Sequence, residues 1–186
     1  MRRLAVALVH YPVLDRAGAT VTSAVTNIDV HDLSRSSKTY GATDVFVTTP
    51  IEAQRQLVET ILAHWTHGSS AARIPSRKDA LSIVRVVPQL DDAIAALGGR
   101  PNVEVWVTAA RDDAGSVPVI EYDEARARLR GDDPRAVLVV FGTSWGLTSG
   151  LVEGADGRLP PIYGVGTYNH LSVRAACAIT LDRLSR

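Results

Sequence analysis

Val137-Leu-Val-Val-Phe-Gly-Thr-Ser-Trp-Gly-Leu147 is an apolar run that breaks into glycines and resumes as a helix-like segment. A continuous run of this kind reads as a strand buried on both faces, the usual condition of parallel strands covered by helices. A second such stretch follows: Pro161-Ile-Tyr-Gly-Val-Gly-Thr-Tyr-Asn-His-Leu-Ser-Val-Arg-Ala-Ala176. Two glycine-broken loops this close in sequence can wrap one small ligand with backbone groups, because glycine lets a ligand approach the main chain. The first loop also fits G-x-S-x-G, the nucleophile elbow of serine hydrolases, through Gly142, Ser144 and Gly146. Small residues in Leu171-Ser-Val-Arg-Ala-Ala-Cys-Ala178 let a helix sit close to a neighbouring backbone, and tight core packing alone would ask for the same residues.

Working outward, strand and helix patterns alternate along the chain. Strands are expected at Leu4–Val9, Asp44–Thr48, Leu81–Val87, Val103–Val107 and Ala136–Phe141, with a short sixth at Leu159–Tyr163. Helices are expected at Asp29–Tyr40, stopped by Gly41, and at Ile51–His67, with Pro50 at its entry. Further helices are expected at Leu90–Leu97, Tyr122–Arg130, Trp145–Glu153 and Leu171–Leu184. In the second of these helices Ile51, Leu57, Val58, Ile61, Leu62 and Trp65 are spaced as one face. The alternation implies an α/β fold with a mostly parallel sheet and helices on both faces. No linker, repeat or low-complexity tract interrupts it, so residues 1–186 are expected to form one domain.

Composition narrows the function classes. No apolar stretch approaches the roughly 20 residues that span a bilayer, and Leu4–Val9 runs into His10-Tyr-Pro instead of a signal-peptide cleavage site. Cytoplasmic residence is the default expectation. The single cysteine, Cys177, excludes an intramolecular disulfide and a multi-thiolate metal site. His64 and His67 are three apart without clustered carboxylates or thiols, so no metal is expected. Twenty basic and twenty acidic residues leave net charge zero, and so no global field for nucleic acid. The distribution is uneven: residues 1–86 carry ten Arg/Lys against seven Asp/Glu, and residues 87–186 ten against thirteen. Arg73, Arg77 and Lys78 lie close together around Pro75, where a loop could serve as a phosphate patch or as a solvated connection.

The hydrolase reading has the right order, Ser144, Asp156, His170, but only 26 residues between the first and the last (170 minus 144), and no HGGG-type segment upstream. A nicotinamide-binding reading needs G-x-G-x-x-G after the first strand, where this chain has His10-Tyr-Pro-Val.

Phe141-Gly-Thr-Ser-Trp-Gly-Leu147 followed by Tyr168-Asn-His-Leu-Ser-Val-Arg-Ala-Ala176 resembles the second and third motifs of the SPOUT superfamily of S-adenosylmethionine-dependent RNA methyltransferases. Thr26-Asn-Ile-Asp-Val-His-Asp-Leu-Ser-Arg35, closing on Tyr40-Gly41, is similar to the family's first motif. Within the superfamily the chain looks most like the small group found fused to, or beside, the bacterial tRNA (guanine-N1) methyltransferase. The resemblance implies a deep trefoil knot in the C-terminal part and a homodimer with the knot region and terminal helix in its interface. It implies methyl transfer from S-adenosyl-L-methionine to RNA, tRNA or rRNA, or alternatively a cofactor-binding partner protein without independent catalysis.

By that resemblance the cofactor would be held by Thr108, Ala109 and Ala110, by Phe141, Gly142, Thr143, Ser144, Trp145 and Gly146, and by Ile162, Tyr163, Gly164, Gly166, Tyr168, Asn169, His170, Leu171 and Ser172. Arg35 would be the leading catalytic residue, with Asn27 just before it and His31 a base for neutral pH. Asp29 and Asp32 would serve there or simply cap the helix N-terminus, and Arg111 is a second candidate for RNA or a carboxylate. Two departures leave ribose 2′-OH and base nitrogen both open as acceptors. His170 stands nearest the place of the family's asparagine, and the Asn-to-Arg spacing is stretched. A dimer could still build a basic groove from Arg35, Arg73, Arg77 and Lys78.

Overall fold

The computed structural model describes residues 1–67, 69–111 and 116–186, residues 69 and 70 by backbone alone. The chain opens with β1 (Leu4–Val9), buried throughout, then a small antiparallel ribbon, β2 (Val13–Leu14) with β3 (Thr20–Val21). The ribbon has no alternating pattern long enough to show in sequence; Asp15 closes its turn by accepting from the backbone N–H groups of Ala17 and Ala19. Helix α1 (Asn27–Thr39) is capped by Thr26, whose hydroxyl accepts from Asp29 N, and ends at Gly41, where φ is +81°. Strand β4 (Asp44–Thr48) and helix α2 (Glu52–Thr66) follow. Only Val58 of α2 is buried, and Ile51 and Leu57, expected on its inner face, are exposed.

The stretch expected as a loop around Pro75 is instead two short helices, α3 (Ser69–Arg73) and α4 (Pro75–Leu81). Pro75 occupies the first turn of α4, where its missing N–H costs nothing, and Ala80 and Leu81 turn inward. Leu81 therefore belongs to a helix, and β5 is shorter than expected, Val84–Val87. Helix α5 (Leu90–Ala96), β6 (Val103–Val107), α6 (Tyr122–Arg130) and β7 (Ala136–Gly142) match the sequence pattern within two residues. Helix α7 is only Ser149–Glu153, because Gly142–Leu147 forms a turn. Strand β8 is Gly157–Arg158, not Leu159–Tyr163. Leu159 N still donates to Val107 O, but Pro160 and Pro161 have no N–H, so the ladder ends there. The chain closes with α8 (Val173–Ser185), capped by Ser172.

Six strands form one sheet in the order β5-β4-β1-β7-β6-β8, every pairing parallel. Its alternating side chains feed two cores. Val6, Leu8, Val139 and Phe141 pack on one face with Val30 and Leu33 of α1 and Cys177 and Leu181 of α8. Ala7, Val9, Leu138 and Val140 pack on the other with Leu90 and Ile94 of α5 and Val152 of α7. Full burial of a side chain such as Phe141 stabilises by roughly 1.5–3 kcal/mol. The chain runs outward from β1 to β4 and β5, then crosses to β6 and β7. The order reverses between β1 and β7, and in parallel sheets the crevice beyond the carboxyl ends at such a point is where ligands bind.

At the opposite end of the sheet the carboxylate of Glu104 is almost fully buried. It pairs with Arg2 at 2.7 Å and Arg128 at 2.7 Å and accepts from the Trp106 indole at 2.9 Å. Arg2, through its Nε, also donates to Arg135 O at 2.9 Å, so this cluster ties the chain's first residues to the strand that begins at Ala136.

Candidate active site

Because the strands are parallel, the segments after β1, β6, β7 and β8 all leave from one end of the sheet. The turn after β7 is built by backbone bonds to β1 and the ribbon: Thr143 N donates to Val9 O at 3.2 Å, Trp145 N to Leu14 O at 3.0 Å and Leu14 N to Gly146 O at 2.9 Å. Ser144 takes a positive φ of 52° inside it and is exposed. A Cβ on Gly142 would stand 2.8 Å from Leu147 N, so glycine here is demanded by the turn itself. The adjacent β6 segment is anchored by Thr108, whose N–H and hydroxyl both donate to Val140 O at 3.0 Å. Beyond β8, Gly164 N donates to the Asn169 side chain at 3.0 Å, and Tyr168 and His170 rings meet edge to face at 5.2 Å. Tyr163, Val165, Tyr168 and Leu171 are exposed.

His10, directly after β1, joins this turn in a way the sequence did not disclose. Its Nδ1 lies 2.7 Å from Ser23 Oγ, Ser23 Oγ lies 2.5 Å from Thr143 Oγ1, and Thr143 Oγ1 donates to Val9 O at 3.0 Å. Each hydroxyl has one proton. Thr143 spends its own on Val9, so Ser23 donates to Thr143, and His10 Nδ1 must carry the proton given to Ser23. The ring is thus the Nδ1–H tautomer with a lone pair on Nε2, which is buried and has no partner among the described residues. Burial pulls the His10 pKa down to about 4 against the opposing pull of Asp29.

The unfolded chain then binds more protons than the fold between pH 6.5 and about 4, so stability falls as pH falls through that window. His31 is lowered in the same direction and adds to the slope. His10→Asn keeps a donor towards Ser23 and removes the titration. The urea midpoint of this variant is expected to decline less steeply from pH 6.5 to 5 than that of the wild type, and an unchanged slope would sink the assignment.

Helix α1 meets α8 along a groove of about 580 Å³ lined by Asp32, Arg35, Ser36, Tyr40, Ser172 and Arg174, among others. Buried Asp29 accepts from Thr26 Oγ1 at 2.5 Å and pairs with Arg174 at 2.6 Å, with Asp32 3.6 Å from the same guanidinium. Asp29 therefore braces the Thr26 cap of α1 and also bolts the helix to α8. Arg35 is exposed at the groove with no carboxylate within ion-pair distance among the described residues.

His31 is not brought to the groove. Its ring packs edge-on against Trp65 of α2 at 5.4 Å, and burial and Arg77 push its pKa below the usual histidine value. Asn27 is exposed in the first turn of α1. Arg111 is exposed, and its carbonyl accepts from Arg158 at 3.3 Å. The hydrolase triad is not assembled: Asp156 is taken by Arg100 at 2.8 Å and Val105 N at 2.7 Å, and no hydrogen bond joins Ser144 to His170 among the described residues.

Residues 3–186 match the family described as SAM-dependent RNA methyltransferase. The chain belongs to that family. It is 42% identical, over 98% of its length, to a tRNA (guanine-N(1)-)-methyltransferase of Nitratidesulfovibrio vulgaris. It spans about two fifths of the length of the curated relatives it first matches, 42% of each. Among solved structures, a probable methyltransferase from Bordetella pertussis shares the fold with a TM-score of 0.66 at 19% identity, covering 99% of this chain and 95% of that one. The SpoU methyltransferase AviRb from Streptomyces viridochromogenes, solved in complex with the cofactor AdoMet, superposes with a TM-score of 0.56 at 14% identity, over 99% and 57% of the two chains.

For a SAM-dependent RNA methyltransferase the strand-end loops have suitable features. Gly146 and Gly166 face open space where a Cβ would stand, so a ligand can lie against their backbone. Exposed Trp145, Val165 and Leu171 supply apolar surface, and the groove beside Arg35 is rich in hydroxyls. What sequence reasoning missed in this family member is His10, Ser23 and the Asp29–Arg174 pair.

Proposed function

We propose that the chain transfers a methyl group from S-adenosyl-L-methionine to RNA, with tRNA the first substrate to try. The observation that carries this reading is Arg35: a guanidinium without a carboxylate partner among the described residues, lining the α1–α8 groove. Bound S-adenosylmethionine would supply a methyl group already activated on sulfur. The chain's part is then to hold, orient and exclude water. Residues Thr108–Ala110, Phe141–Gly146 and Ile162–Ser172 would hold the cofactor largely through backbone groups. Arg35 would orient the acceptor with its planar set of donors, and Asp29 with Arg174 would fix the helix that carries Arg35. The glycine requirement at Gly142 supports this indirectly, by keeping the turn tight.

We read residues 1–186 as one SPOUT-like domain, supported by the family match over 3–186 and the single six-stranded sheet. The trefoil knot of that fold is supported by the chain's path: from edge strand β8 it returns to the middle of the sheet, where α8 packs on α1. Exposed Val165, Tyr168 and Leu171, in the segment that leads into α8, suit a homodimer interface. No helix among the described residues is long and apolar enough to cross a membrane, and a cytoplasmic place fits a tRNA substrate. The guanine-N1 specificity in the relatives' name is not carried over, since this chain matches under half of those proteins.

Calorimetric titration with S-adenosylhomocysteine tests the cofactor site, and binding in the micromolar range is expected. Absence of heat at high micromolar ligand would end the proposal. Cofactor binding without methyl transfer to unmodified RNA, read by nucleoside mass spectrometry, would instead favour a partner protein without its own catalysis.

A further inference from the structure

Net charge zero conceals an uneven neutralisation. Many arginines elsewhere in the fold are matched to carboxylates: Arg2 and Arg128 to Glu104, Arg3 and Arg85 to Asp44, Arg100 to Asp156, Arg135 to Asp133, Arg174 to Asp29. Arg35, Arg73, Arg77 and Lys78 have no such partner among the described residues. The carboxylates closest to them in sequence are already engaged, Asp32 near Arg174 and Asp79 on Lys38 at 3.1 Å.

These cations stand around one aromatic post. Trp65, near the end of α2, carries the Arg77 guanidinium over its ring at 4.6 Å, with His31 and His64 against it edge-on at 5.4 and 5.2 Å. A guanidinium held by its face on an indole keeps its in-plane N–H donors and its full charge, which suits it to a phosphate. The Lys38–Asp79 pair ties α4 to α1, and Arg77 with Trp65 ties α4 to α2, so the three helices present one braced face. Arg73 and Lys78 are exposed on the two short helices on either side of Arg77. Arg35 and His31, one turn apart on α1, join this face to the groove: Arg35 lines the groove, His31 touches Trp65, and both Arg35 and Arg77 act on His31 electrostatically.

We propose that the face of α1, α2, α3 and α4 around Trp65, bearing Arg73, Arg77 and Lys78, docks the phosphate backbone of the RNA substrate and leads it to Arg35. The proposal rests on the RNA reading above. It assigns these side chains to positioning and affinity, since phosphate contacts hold register without reading bases.

The test is the double variant Arg73→Gln with Lys78→Gln, two exposed residues outside the methyl-transfer groove. Binding of a fluorescein-labelled, unmodified tRNA transcript is followed by anisotropy across a salt series, with S-adenosylhomocysteine affinity as the folding control. Each lost phosphate contact lowers the slope of log affinity against log salt by roughly 0.7–0.9. The double variant is therefore expected to lose about 1.5 from the slope and roughly tenfold in affinity at physiological salt. Transfer should show a raised KM for RNA with kcat retained. A wild-type slope and affinity in the double variant overturn the docking face alone, and would leave the patch to an acidic protein partner. A wild-type protein that binds no RNA at any salt overturns the RNA reading and the docking face together.

Discussion

Glu104→Ala is expected to destabilise the fold by about 3–5 kcal/mol, the usual cost of stripping one partner from a buried ion pair. The side chain of Arg2 is only 2% exposed and that of Glu104 only 4%. Without the carboxylate, Arg2 keeps Arg135 O at 2.9 Å and a distant Asp133 at 3.8 Å, and its Nη2 is already without a partner among the described residues. The Trp106 indole and one contact of Arg128 are lost as well. Against a total stability of roughly 5–15 kcal/mol, that is a large share. Urea unfolding measures it, and a midpoint within error of wild type would refute the assignment. Glu104→Gln separates charge from hydrogen bonding and should lose less than Glu104→Ala.

The same group sets an acid limit. Burial pushes the Glu104 pKa up, but hydrogen bonds from Trp106, Arg2 and Arg128 outweigh it and hold the carboxyl below its ordinary 4.5. A lowered folded pKa means stability that is present above 4.5 and is lost as pH falls through the folded value. The Glu104 loss starts only below 4.5 and the His10 loss already at 6.5, so the decline between pH 6.5 and 4.5 reports the histidines and a single pH series tells the groups apart.

Arg35→Ala is expected to cost on the order of 10²-fold or more in methyl transfer while leaving S-adenosylhomocysteine affinity near wild type, since removal of one preorganised donor has about that effect. Arg35 is exposed and has no ion-pair partner among the described residues, so the fold has little to lose with it. Single-turnover transfer at saturating RNA reads the chemical step apart from docking. Arg35→Lys should recover little, because a point charge does not replace a planar, multi-donor fork. Wild-type transfer by Arg35→Ala would remove Arg35 from the site; loss of cofactor binding would move it from orienting the acceptor to holding the cofactor.

Much of the fold was legible because its elements are long and consistently patterned. Leu4–Val9, Val103–Val107 and Val137–Phe141 are buried on both faces, and a covered parallel sheet is the usual home of several such runs. The errors fall where local signals compete. Pro75 reads as a loop marker but opens α4, and Leu159–Tyr163 reads as a strand but holds two prolines that end the ladder. Ile51 and Leu57 keep helical spacing on a helix that the fold leaves mostly uncovered.

By itself the sequence determined the parallel α/β frame, the glycine-broken loops after β7 and β8, and an arginine in a helix near the N-terminus. Those properties reside in periodicity and in backbone demands such as the missing Cβ at Gly142, which any local window contains. The tertiary structure alone decided that His10, Ser23 and Thr143 share one hydrogen-bond chain across 120 residues from Ser23 to Thr143. It alone decided that Asp29 meets Arg174 across 145 residues, and that Arg77 caps Trp65 while His31 turns away from the groove. Side-chain pairing between distant positions leaves no periodic trace. It exists only once the sheet order has brought the ends of β1 and β7 together and laid α8 against α1.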